Sequence, residues 1–271
     1  MGGVRRVLRR LPASTMHALR GHDLLLYGAG VTFYAAIAVV PGLLIATRML
    51  CVLIGRERVL DLTADLTRAL PGALGAGGVA ADLLQRGTEL SWFAFVVSLL
   101  PATVYGEGLR RAYVALADVD DRLSGWRGRL AAVPILALAP VLLLAVLGVT
   151  PLLAELFGSG AGGQVLGVYV ALNVDWIVVS VPLAWTFRFV APGVLGWRAS
   201  VLGGLATGAF VAGFLQGFVL FLSLPLDLGA PFGGVTGLGA GVAVLLWLWV
   251  LHLVVLVGWA ATRQAVTLTR A

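Results

Sequence analysis

The sequence predicts an all-α fold: a polytopic helical membrane protein with about six transmembrane helices and an amphipathic helical external segment between the first two. Three observations predict it. Hydrophobic residues make up 60% of the 271 residues and charged residues only 12%, with a mean hydropathy of +0.99. A soluble domain carries roughly 25% charged residues to hydrate its surface. Six apolar runs recur, and they are continuous rather than alternating, which excludes the two-residue period of a membrane β-barrel. The charge is also asymmetric. Every one of the 19 basic residues is arginine, and with both termini inside, all but five lie on inner segments, in line with the positive-inside rule. The chain 1–271 therefore reads as a single integral membrane domain: an Arg-rich N-terminus 1–23, a bundle over 24–262 and a short tail 263–271, with both ends on the cytoplasmic side of a bacterial inner (plasma) membrane.

The first element is VRRVLRRL at 4–11, with Val4, Val7, Leu8 and Leu11 on one helical face and Arg5, Arg6, Arg9 and Arg10 on the other. That pattern suits a short helix on an anionic leaflet, so the expected partners are the bilayer and its anionic lipids. No aromatic platform accompanies these arginines, so nucleic acid is not expected as a partner. The first span covers about 24–50. Its apolar run is too long for a signal-peptide core, no small-x-small cleavage site follows it, and it is expected to be retained. Asp23 stands at its entrance as a helix cap, and Pro41 lies within it. From 56 to 87 the chain turns polar. Val59, Leu62, Leu66 and Leu70 recur at helical spacing up to Pro71-Gly72, a glycine-rich loop covers 72–78, and a second amphipathic helix is expected at 79–86.

The second span is predicted over about 89–105 with Pro101, followed by a polar, solvated loop over 106–129. Asp118, Asp120 and Asp121 cluster in that loop without the spacing, glycine or closing Glu of a calcium loop. The third span covers 130–150 with Pro134 and Pro140, and a short external loop 151–163 follows. The fourth covers 164–187, the fifth about 198–223 and the sixth about 234–262. Trp92, Trp185, Trp197 and Trp259 fall near span ends, where interfacial anchors belong.

Candidate functional groups are the polar residues inside spans. Asp175 and Asn173 lie at the middle of the fourth, Gln216 in the fifth and His252 in the sixth. A carboxylate at mid-membrane costs roughly 2.5–3.5 kcal/mol on insertion scales, so Asp175 must face protein or water. His252 sits at a similar depth and is a candidate partner for it. Gly204-x-x-x-Gly208 and Gly213-x-x-x-Gly217 in the fifth region, and Gly233, Gly237 and Gly241 before and within the sixth, have the spacing that lets backbones approach. They predict close packing of spans five and six, or a homo-oligomer contact.

Several stretches together carry a family resemblance: Asp23, GAGVTFYAAIAVVPGLL at 28–44, GLRRAY at 108–113, RFVAPGVLGWRASVLGGLATG at 188–208 and FGGVTGLGAGVAVLLWLWVLHLVVLVGWA at 232–260. In these the chain resembles the YihY/BrkB family of membrane proteins, historically mislabelled ribonuclease BN. The resemblance implies six helices in the inner membrane and a transport or lipid-related role. The nuclease label meets no chemistry in the residues. Only His17, His22 and His252 are present, far apart in sequence, and no nucleophile elbow or Cys/His pair accompanies them. The lone Cys51 forms no disulfide or metal motif. The expectation is thus a non-enzymatic membrane protein without metal or cofactor: a transporter, exporter or lipid flippase with a polar site in the bundle. The alternative is a scaffold whose external segment binds a partner.

Overall fold

The structure is a computed structural model that describes residues 2–69, 76–193, 195–222, 224 and 226–270. The predicted Pro71-Gly72 helix end and the glycine-rich stretch up to 75 lie outside the described residues. Among those described, the elements are helical: α1 (Gly2–Leu19), α2 (Leu24–Ile54), α3 (Arg56–Ala69), α4 (Ala76–Thr88), α5 (Trp92–Leu116), α6 (Ser124–Gly158), α7 (Ala161–Trp185), α8 (Trp197–Leu222) and α9 (Thr236–Arg270). A π-helical turn, Thr186–Val190, extends α7, and a short 3-10 turn, Ala230–Phe232, precedes α9. Six of the helices, α2 and α5 to α9, are long and apolar enough to cross a membrane.

Each crossing helix leaves large apolar side chains on the outside, among them Phe93, Val165 and Phe210. In water such a surface would drive aggregation. Around a bundle it is the lipid-facing surface, and the backbone polar groups are satisfied within each helix.

Asp23 caps α2 as its sequence position suggests, accepting from the Leu26 backbone N–H at 3.1 Å. Several spans run beyond their expected ends. The second continues to Leu116, so much of the expected polar loop 106–129 is helix, and the connection to α6 is short. The apolar average falls off at Glu107, Arg110 and Arg111, yet the helix carries on because those charges find partners. The loop expected at 151–163 shrinks because α6 extends through Pro151 to Gly158. The tail 263–271 is helical to Arg270, and α1 packs on it, with the Ser14 hydroxyl donating to Gln264 Oε1 at 2.8 Å.

Two apolar cores sit at opposite ends of the bundle. The larger joins Val31 of α2, Leu109 and Tyr113 of α5, Phe187 and Val190 of the π turn, and Leu256 and Trp259 of α9. The smaller joins Leu50 of α2, Val59 and Leu62 of α3, Leu84 of α4 and Leu147 of α6. The amphipathic segment therefore spends its apolar faces on the bundle itself. Trp92 and Trp197 are exposed, as interfacial residues should be. Trp259 is not an anchor: it is fully buried against Tyr113, with the Arg263 guanidinium 4.8 Å from its ring centre.

Candidate functional site

α7 and α8 run antiparallel and touch along their length, and glycine sets how closely. A Cβ on Gly204 would press into the Ala184 backbone at 2.7 Å, and one on Gly208 would collide with the Ser180 hydroxyl. Moving four residues forward on α8 moves four residues back on α7, so the register is fixed. The Trp176 indole adds a tie, donating to the Leu205 carbonyl at 2.8 Å.

Further along the same seam the long Gln216 side chain reaches Asp175. The Gln216 amide donates to Asp175 Oδ2 at 2.6 Å, and both residues are half-buried. The acid is thus sheltered by a neighbouring span, which satisfies the requirement set by its cost in hydrocarbon. The amide suits either protonation state, since it can donate to a carboxylate or accept from a carboxylic acid.

Asn173 does not join this pair. Two residues from Asp175 on one helix, it points to another face and donates to its own helix at the Tyr169 carbonyl, 2.8 Å away. His252 does not pair with Asp175 either. Its Nδ1 lies 3.0 Å from Thr32 Oγ1 and its Nε2 lies 3.2 Å from the Tyr105 hydroxyl. The Thr32 hydroxyl donates its single hydrogen to the Gly28 carbonyl at 2.8 Å. It therefore accepts from His252, which assigns the proton to Nδ1 and leaves Nε2 to accept from Tyr105. This buried chain joins α2, α5 and α9.

The glycine expectation needs a correction. Gly204 and Gly208 serve the α7 contact rather than span six. Spans five and six do pack, but through Gly203 against Thr262 and Gly258 against Thr207. Gly213, Gly237 and Gly241 face open space, Gly217 meets only the Trp247 ring, and Gly233 takes a left-handed turn with φ +65°.

A further polar cluster lies at the arginine-bearing end, where the sequence suggested a solvated loop. Arg110 grips Asp121 through Nε at 3.0 Å and Nη2 at 2.6 Å, and its Nη1 donates to the Val190 carbonyl of the π turn at 2.7 Å. The Asp121 side chain is only 6% exposed. Arg110 hydrogen-bonds the Asp121 carboxyl and, with help from Arg127, holds its pKa below the ordinary carboxylate value. Beside it Glu107 accepts from Arg111 Nη2 at 2.8 Å and from Arg129 Nε at 2.7 Å. Of the clustered acids only Asp118 and Asp120 are exposed to solvent, and Asp118 lies 3.6 Å from the His22 ring. The one hint in the sequence was that four acids and five arginines share the stretch 107–129. Among the described residues no three His, Cys, Asp or Glu side chains converge in a group that could hold a metal ion.

Six apolar crossing helices, with polar side chains paired between them, define a polytopic α-helical integral membrane protein. The model of the family described as virulence factor BrkB matches residues 15–270, and the chain belongs to that family. No curated protein and no solved structure matches it.

Proposed function

We propose that this protein is a membrane transporter, a carrier of a solute or a lipid, and that the carried species or its coupling proton meets the chain at Asp175. The observation supporting this is the 2.6 Å bond from Gln216 of α8 to the Asp175 carboxylate of α7. An acid inside a span is expensive, and such groups are kept mainly where ions, protons or substrates pass. Here the acid is sheltered but not sealed, being half-buried. Loss and gain of a proton at Asp175 changes the charge between two spans by one unit, and Gln216 can follow both states by turning its amide. The π turn at the end of α7 suits movement of that helix, since π segments recur at functional sites.

By the positive-inside rule the arginine-bearing end, with both termini, faces the cytoplasm of a bacterial plasma membrane. The scaffold alternative has less support, because Val59, Leu62 and Leu84 of the external segment are buried against α2 and α6 rather than offered to a partner.

The test is reconstitution of wild-type and Asp175→Asn protein in liposomes carrying a pH dye and a reporter lipid. Wild-type vesicles are expected to show pH-dependent proton flux or lipid movement, and the variant to lose most of it while staying monodisperse. Unchanged movement in Asp175→Asn would remove the proposed site.

A further inference from the structure

A groove of about 890 Å³ runs along the lipid-facing seam between α8 and α9. Its floor is made by small side chains: Gly203 and Gly258 sit where the two helices touch, and Ala206 and Ala261 leave room on either side. Thr262, which also lines it, donates its hydroxyl to the Gly258 carbonyl of its own helix at 2.7 Å, so its polar group is spent on the backbone. On α8 the groove runs from Ala199, near the start of the helix, to Phe210 near its middle. At 1.5 Å per residue the α8 stretch is about 16 Å, close to the depth of one leaflet's hydrocarbon, half of roughly 30 Å, while on α9 the lining runs about 28 Å, from Val250 near the middle of the helix to Thr269 at its end. The volume lies within the range of roughly 300–1,000 Å³ in which proteins hold small ligands.

One end of the groove lies at mid-membrane and the other at the arginine-bearing surface. There Leu11 of α1 closes it beside Thr269 of α9. Each of the three elements places an exposed arginine next in sequence to a residue lining that end: Arg10 before Leu11, Arg198 before Ala199 and Arg270 after Thr269. None of α1, α8 and α9 contains an Asp or Glu. The groove therefore combines an apolar trough one leaflet deep with a rim of positive charge that its own helices do not neutralise.

We propose that this groove holds an anionic phospholipid of the leaflet facing the arginine-bearing end, with an acyl chain in the trough and the phosphate among Arg10, Arg198 and Arg270. Charge complementarity favours this occupant over a zwitterionic lipid, and the depth of the trough favours a single-leaflet lipid over a transmembrane helix. The site is separate from Asp175 and does not depend on the transport reading.

Full-length protein is purified, loaded with equal phosphatidylglycerol and phosphatidylcholine, and its retained lipid is read by native mass spectrometry. The wild type is expected to retain phosphatidylglycerol in preference. Each of Arg198→Gln and Arg270→Gln is expected to lower that preference about fivefold, the effect of one surface arginine on an anionic lipid. Ala206→Phe fills the trough from its exposed side, without touching the core, and is expected to abolish retention. Asp175→Asn is expected to retain lipid as the wild type does, so failure of the transport reading leaves this one standing. Equal retention of both lipids by the wild type, or unchanged retention in Ala206→Phe, would overturn the proposal. So would a change of oligomeric state in Ala206→Phe, which would identify a second copy of the chain as the occupant.

Discussion

Arg110 shows how much one side chain can hold at a membrane surface. Its guanidinium ties the loop acid Asp121 and the π turn at Val190 to α5, and its side chain is only 10% exposed. Without Arg110 the Asp121 carboxylate keeps Arg127 Nη1 at 3.1 Å and the Leu123 backbone N–H at 3.2 Å, so the loss is that of charge-assisted hydrogen bonds rather than of an acid left without a partner. Arg110→Ala is therefore expected to lower the stability of the detergent-solubilised protein by about 1.5–3 kcal/mol in reversible unfolding. Arg127→Ala, whose side chain is 59% exposed, is expected to cost less than about 1 kcal/mol. The pH dependence follows from the same contact. The native Asp121 carboxyl titrates below its ordinary value because Arg110 hydrogen-bonds its ionised form. Its contribution to stability is complete above the unfolded value of about 3.9 and is lost as the pH falls through the lower native value. Thermal midpoints measured from pH 6 downward are expected to fall less steeply for Asp121→Asn than for the wild type. Within the bundle, Thr32→Val keeps the shape but removes the acceptor for His252 Nδ1. The expected loss is about 1 kcal/mol, between typical interhelical polar contacts in membranes and a buried unsatisfied donor.

Between helices, the glycines divide into those that meet a neighbour and those that do not. A Cβ on Gly106 would collide with the Gly128 carbonyl oxygen, and one on Gly128 with the Gly106 carbonyl, so α5 and α6 touch backbone to backbone. Backbone cannot swing aside as a side chain can. Gly106→Ala is expected to destabilise by about 1–3 kcal/mol, the usual cost of overpacking. Gly213→Ala, which meets nothing within 4 Å, is expected to be neutral to within about 0.5 kcal/mol. Thermal unfolding of the two variants in one detergent distinguishes them. If both behave alike, the spacing of glycines and not their contacts governs packing. The four-residue repeat in the sequence cannot make this distinction, because spacing places a glycine on a face but does not say what faces it.

For the whole molecule the decisive test is orientation. In a variant whose native Cys51 is replaced by serine, Glu57→Cys on α3 and Arg122→Cys in the α5–α6 connection are both exposed positions. They are expected to react with an impermeant thiol reagent from opposite sides of the membrane, residue 57 from outside and residue 122 from the cytoplasm. Reaction of both from one side would overturn the six-span topology.

The sequence by itself determined the class, the number of spans, the amphipathic segment and the Asp23 cap. These rest on local features: an apolar run long enough for the bilayer, a periodicity of 3.6, and a capping side chain one residue before a helix. It also singled out Asp175 and Gln216, since a polar side chain in hydrocarbon is conspicuous wherever it sits. Only the tertiary structure decided that those two bond to each other, that Asn173 turns back on its own helix and that His252 joins Thr32 and Tyr105. It alone decided that the polar stretch after the second span continues as helix and pairs Arg110 with Asp121 and Glu107 with Arg129, leaving the short connection at 118–120 and 122–123 exposed. The reason is physical: the cost of placing a charge in a span is a property of that residue, but the group that relieves it comes from another helix, and which face meets which is set by packing between distant parts of the chain.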